Sequence, residues 1–268
     1  MADHGDSGSF HKADISPSGE DSGHQPVIDE AYSDIQGGRG SAPSRKIQTA
    51  EVAVFLFLIV PSMALSFLRG AQADLRFTEM AVASILNDFA LLSLVLYFTW
   101  RNQESVRQLG WNFDHLRRDV ALGLILFVPV FFGGNVLADL LHQAGLSAPA
   151  QRPSFLAVSG VIQVALGFLI VTVVSVVEET VFRGYLMLRF KTVTGRTSAA
   201  VILSSLVFSL GHGYEGMAGV ISVFVLGAIF ALVYLWRKSV VAPIVMHFLT
   251  DFTSLVLPAL LIAYESWH

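Results

Sequence analysis

The chain has 268 residues, of which 53% are hydrophobic and only 14% are charged, and its formal net charge at pH 7 is −4. About a quarter of the residues of a soluble domain are charged, so this composition excludes an ordinary soluble protein. The chain has no cysteine, which excludes disulfides, thiolate catalysis and iron–sulfur clusters. No basic stripe indicates nucleic acid as a partner.

The apolar residues lie in continuous blocks that predict an all-α, polytopic membrane protein with about seven transmembrane helices. Residues 1–46 are polar and predict a disordered cytoplasmic tail. Residues 47–118 are expected to form two transmembrane helices and an amphipathic loop, and residues 119–268 a core that carries the chemistry. The predicted spans are residues 50–68, 80–100, 119–141, 162–188, 198–212, 217–236 and 240–263.

The basic residues predict the orientation of these spans. With the N-terminus in the cytoplasm, most of the 17 Lys and Arg residues fall on the cytoplasmic side. Residues 1–44 lack the apolar core of a signal peptide, and we expect a bacterial inner membrane protein in contact with lipid. The basic loop at residues 101–119 is expected either to lie on the inner leaflet or to be a plain solvated loop.

Two adjacent glutamates, Glu178 and Glu179, lie inside the fourth apolar span. A charge at the centre of a bilayer costs about 2.5–3.5 kcal/mol even on the most lenient scale, so such residues usually have a function. Arg183 follows Glu179 by four residues, so the two can pair on one helix face. Glu178 is rotated by about 100° from its neighbour and can point elsewhere.

Two histidines and an aspartate add to this polar set. His212 ends the fifth span, and the seventh contains His247 and Asp251, four residues apart and therefore on one helix face. The helical rise places these residues near the middle or in the inner half of the membrane, where they can form one polar cavity. A carboxylate and histidines can activate a water as a general base, or bind a divalent metal such as zinc that activates it.

Three motifs in this order resemble the CPBP family of CAAX-protease and bacteriocin-processing (Abi) intramembrane peptidases, which includes the type II CAAX prenyl endopeptidases. The motifs are Glu178-Glu179-x-x-x-Arg183, Phe208-x-x-x-His212 and His247-x-x-x-Asp251. The resemblance implies a membrane endopeptidase that acts on a peptide or a lipidated protein. No family motif lies in residues 1–118.

The resemblance also implies the roles of the site residues. Glu178 would activate the hydrolytic water together with His212. His247 and the last residue of its motif would stabilise the oxyanion, and Glu179 and Arg183 would hold the site by pairing. A metal-bound water held by Glu178, His212 and His247 remains an open alternative.

The chain departs from the family pattern at Asp251, where an asparagine is common. An amide can donate a hydrogen bond to an oxyanion, whereas an ionised carboxylate cannot. Asp251 is therefore expected to be protonated, to orient His247 or to bind a metal.

Two other functions fit the same composition. One is a non-catalytic immunity or scaffold protein of the same fold, and the other is a proton-coupled transporter, although no internal repeat is evident. Asn87 and Asp88 in the second span match no motif and are interpreted as helix–helix contacts. Phe182, Phe208 and Phe248 are interpreted as packing residues.

Overall fold

The computed structural model describes Met1 and residues 44–69, 76–147 and 156–265. The predicted tail, residues 1–46, lies almost wholly outside these ranges. Within them the chain forms helices and short connections and no strand. This confirms the predicted all-α class.

Seven helices follow one another along the described part of the chain, each close to a predicted span. They are α1 (Arg45–Arg69), α2 (Phe77–Arg101), α3 (Leu116–Gln143), α4 (Gly160–Thr194), α5 (Thr197–Leu210), α6 (Gly216–Arg237) and α7 (residues 241–265). By length and composition, six of these described helices could cross a membrane.

The exception is α5, which has only 14 residues. Its length of about 21 Å is shorter than a hydrocarbon core of about 30 Å. The predicted fifth span therefore forms a helix, but one shorter than a full crossing. A 3-10 turn at Gly213–Glu215 follows it, and Gly216 adopts a φ of +73° before α6 runs back along α5. His212 lies between the end of α5 and this turn and is half-buried.

Both helices that carry charged motif residues change their winding next to those residues. Helix α4 is α-helical over Gly160–Glu179, has π geometry over Thr180–Leu186, and is α-helical again over Met187–Thr194. Helix α7 is α-helical over Val241–Asp251 and has π geometry over Phe252–Val256 before its last stretch, Leu257–Glu265. Such π segments frequently mark functional sites.

Helix α4 lies at the centre of the bundle. It packs against α2, α5 and α7, while α3 packs against α6 and α7. Its π segment is wholly buried, and Tyr185 and Leu186 join Phe55 of α1 in the main apolar core. Glu179, which directly precedes this segment, is likewise fully buried within the protein.

The loop between α2 and α3 packs into the bundle through Leu109, which is fully buried. Gly110 adopts a φ of +82°, and its backbone carbonyl accepts a hydrogen bond from the amide of Val240. Residues 101–119 were expected either to lie on the inner leaflet or to be solvated. Neither expectation includes the burial of Leu109 and the hydrogen bond between Gly110 and Val240. Phe113 is exposed and remains available to the membrane surface.

Replacing Gly184 with alanine is expected to destabilise the protein by about 1–3 kcal/mol, because overpacking forces backbone shifts. A Cβ at Gly184 would lie 2.5 Å from the carbonyl oxygen of Leu109. Gly133→Ala is the matched control, since a Cβ there meets nothing within 4 Å and helix propensity favours alanine. Thermal unfolding in detergent measures both changes, and an unaltered Tm for Gly184→Ala would contradict this close packing.

Candidate active site

Glu179 and Arg183 form a buried ion pair one turn apart. Arg183 Nη1 donates to Glu179 Oε1 over 2.9 Å, and neither residue is more than 1% exposed. The guanidinium also donates to the carbonyl of Gly227 and lies 4.2 Å from the centroid of the Phe208 ring. Burying a charge is tolerated only when it is paired and hydrogen-bonded. Glu179 is therefore held in place by a partner that is itself fixed.

Three carboxylates surround the imidazole of His247. Its Nδ1 lies 2.9 Å from Glu179 Oε1, and its Nε2 lies 3.4 Å from Asp251 Oδ2 and 3.8 Å from Glu178 Oε2. Helix α7 packs against α4, and the spacing of four residues places Asp251 on the same face as His247. Both ring nitrogens thus face acceptors, an arrangement that suits a histidine donating through Nδ1 and Nε2.

The two adjacent glutamates differ in their freedom to react. The Glu178 side chain is 25% exposed, against 0% for Glu179. Glu178 Oε2 is buried and has no hydrogen-bond partner among the described residues. Glu178 is therefore open to a small molecule from which it can take a proton, whereas Glu179 is closed off and its Oε1 already accepts from Arg183 and His247.

His212 reaches the site through an aromatic contact. Its Nδ1 lies 3.3 Å from the carbonyl of Phe208, one turn earlier. The Phe208 ring centroid lies 5.2 Å from that of His212 and 5.8 Å from that of His247. Phe208, expected only to pack, thus contacts both imidazoles and Arg183.

The arrangement of these residues does not fit the metal site considered from the sequence. Across the described ranges, no group of three or more His, Cys, Asp or Glu residues could hold a metal ion. Among the described residues, His212 forms no hydrogen bond or ion pair with Glu178 or His247, and Nδ1 of His247 faces Glu179. Glu178, His212 and His247 therefore do not converge on one position as metal ligands.

Asn87 and Asp88, both interpreted from the sequence as helix contacts, have different environments. Asn87 is exposed, while Asp88 is only 6% exposed and its Oδ2 has no hydrogen-bond partner among the described residues. An acidic residue within an apolar span is itself a signal of function. No motif includes Asp88, so the resemblance gave it no role.

Comparison with known families agrees with the motifs. Residues 160–253 match the family model described as type II CAAX prenyl endopeptidase Rce1-like. The match runs from the start of α4 to just beyond Asp251, so it contains the six candidate site residues: Glu178, Glu179, Arg183, His212, His247 and Asp251. Comparison with curated proteins and with solved structures gives no match. The match confirms the resemblance: this is a polytopic membrane protein whose residues 160–253 are similar to the Rce1-like type II CAAX prenyl endopeptidases.

Proposed function

We propose that this protein is an intramembrane endopeptidase in which Glu178 activates the hydrolytic water. The supporting observation is the contrast within the glutamate pair: Glu179 is fully buried and its Oε1 is held by Arg183 and His247, while the Glu178 side chain is 25% exposed and its Oε2 lies 3.8 Å from His247 Nε2. The family match supports a prenylated or otherwise lipid-anchored peptide C-terminus as the substrate. Orientation with the N-terminus in the cytoplasm of a bacterial inner membrane is part of the proposal, from the distribution of Lys and Arg.

In this proposal each residue has a step in the reaction. Glu178 takes one proton from water, and the resulting hydroxide attacks the carbonyl carbon of the scissile bond. The carbonyl oxygen becomes an oxyanion, and the Nε2–H of His247 turns from Asp251 to donate to it while Glu179 holds Nδ1. The tetrahedral intermediate then breaks the C–N bond, and Glu178 returns its proton to the leaving amine. His212 and His247 both contact the ring of Phe208. His212 is proposed as a second donor to the substrate.

Asp251 is proposed to orient His247 rather than to donate to the oxyanion. Its Oδ2 faces His247 Nε2 at 3.4 Å, and an acceptor there fixes the ring without supplying a proton. Asp251→Asn is expected to stay within about threefold of wild-type kcat, since the amide oxygen still accepts, whereas Asp251→Leu is expected to lose about 10- to 100-fold. Steady-state kinetics measure both, and a wild-type rate for Asp251→Leu would contradict this role.

Removal of metal ions tests the alternative in which a bound metal, rather than Glu178 alone, activates the water. Because the described carboxylates and imidazoles form no metal-binding group, we expect the purified protein to keep its activity in EDTA. Elemental analysis of the same sample is expected to find less than one zinc per chain. Loss of activity in EDTA that added zinc restores would instead support water held by Glu178, His212 and His247.

The function itself is tested with a fluorogenic peptide that ends in a farnesylated cysteine followed by three residues. The protein in liposomes is expected to cleave after the prenylated cysteine, with the unprenylated peptide cut far more slowly. A non-catalytic scaffold or a proton-coupled transporter would leave the peptide intact.

A further inference from the structure

Asp88 lies on the face of α2 that packs against α4. Ile85, three residues before it, shares an apolar cluster with Val174 of α4, and Leu92, four residues after it, shares one with Val181. Residues at these spacings lie on one helix face. Glu178 lies between Val174 and Val181 along α4, so the packing places Asp88 at the level of Glu178.

Asp88 has no described group that satisfies its buried oxygen. It interacts electrostatically with His247 and with Glu178. Its Oδ2 is nevertheless buried without a hydrogen-bond partner. A buried acceptor left unpaired costs about 1–3 kcal/mol, and more when it is charged. A donor that is not part of the described protein would remove this cost.

The same shortage of donors affects Glu178. Glu178 Oε2 and Asp88 Oδ2 are both acceptors without a hydrogen-bond partner in the described part of the chain. Both carboxylates also interact electrostatically with His247. A water molecule is small and has two donors, so one water can satisfy two acceptors at once. A substrate amide has a single N–H and can satisfy only one of them.

We propose that Asp88 is the second acceptor for the hydrolytic water and holds it against Glu178, an inference that rests on the proposed function of Glu178. One O–H of the water donates to Asp88 and keeps its proton throughout. The other O–H gives its proton to Glu178, and the oxygen bonds to the scissile carbonyl carbon. Two fixed hydrogen bonds orient the oxygen lone pair toward the substrate. Asp88 lies outside residues 160–253, so this carboxylate comes from the part of the chain that the family match leaves uncovered.

Three variants of the full-length protein, assayed in liposomes with the farnesylated fluorogenic peptide, test this role. Asp88→Leu removes the acceptor and is expected to lower kcat about 10- to 100-fold with KM changed less than threefold. Asp88→Asn keeps one acceptor oxygen and is expected to retain more activity than Asp88→Leu. Asn87→Leu changes the exposed neighbour and is expected to keep wild-type kinetics and thermal stability.

The results separate this inference from the function on which it rests. If Glu178→Gln is inactive but Asp88→Leu keeps the wild-type kcat, the role of Asp88 is overturned and that of Glu178 stands. A raised KM at constant kcat also overturns it, because Asp88 would then contact the substrate. If Asp88→Leu fails to fold, Asp88→Ala, which also removes the acceptor, takes its place, and a wild-type kcat for that variant overturns the role.

One measurement does not need turnover. A high-resolution experimental structure of the full chain is expected to show a water within about 3.2 Å of both Asp88 and Glu178, the usual limit for a hydrogen bond. The absence of such a water from well-resolved density at both carboxylates would overturn the inference even if no substrate is cleaved.

Discussion

Glu178→Gln is expected to abolish cleavage of the farnesylated peptide while the protein stays folded. The amide has the same shape as the carboxylate but cannot take a proton from water. A positioned general base contributes about 10²- to 10⁴-fold to a rate, so kcat should fall by at least that range. The ion pair between Glu179 and Arg183 does not involve the changed side chain, and Tm should therefore change little.

Glu79→Gln provides the matched control for this substitution. Glu79 lies exposed in the first turn of α2, where its Oε2 accepts from the backbone amide of Arg76, and glutamine can still accept there. The control variant is expected to keep wild-type kcat. Full activity of Glu178→Gln would show that another group activates the water.

Glu51→Ala is expected to lower the free energy of unfolding by about 1–3 kcal/mol, the cost of leaving a buried donor such as the Tyr185 hydroxyl without its acceptor, while Arg189 keeps its pair with Glu104. Glu51 is 2% exposed and accepts hydrogen bonds from Tyr185 and Arg189 on α4 and from Arg101 and Asn102 at the end of α2. The substitution removes a carboxylate of α1 that is hydrogen-bonded to α4 and to the end of α2. Thermal and denaturant unfolding in detergent measure the loss.

An exposed ion pair supplies the comparison for this buried one. Arg107 and Asp114 pair at 3.2 Å with side chains 67% and 53% exposed, and exposed pairs contribute about 0–1 kcal/mol. Asp114→Ala should therefore leave the unfolding transition almost unchanged. Equal losses for Glu51→Ala and Asp114→Ala would contradict the structural role assigned to Glu51.

The helices and the motif residues were predictable because each depends on local sequence. Apolar runs longer than a bilayer crossing predict the helices directly, and the spacing of four residues predicts the Glu179–Arg183 and His247–Asp251 neighbours. The length of α5 was predictable as well, because the glycine-rich sequence at residues 211–216 separates the predicted spans 198–212 and 217–236.

Other features of the site depend on tertiary packing. Regular helical periodicity cannot reveal the π segment that follows Glu179, nor which of two adjacent glutamates a histidine from α7 will contact. The sequence shows Asp88 as an acidic residue in an apolar span, but only the packing of α2 on α4 shows that it is buried between helices rather than exposed to lipid. The buried network around Glu51 joins residues up to 138 positions apart in the chain, and no local pattern indicates it.

The role of Glu178 in activating water is tested most directly by following the oxygen of the hydrolytic water into the product. The full-length protein in liposomes is incubated with the farnesylated peptide in water enriched in heavy oxygen, and mass spectrometry identifies the products. Glu178-dependent hydrolysis predicts a released tripeptide and one heavy oxygen in the new carboxylate of the prenylated fragment, with neither product from Glu178→Gln. An intact peptide with the wild-type protein, or the same labelled products from Glu178→Gln, would contradict it.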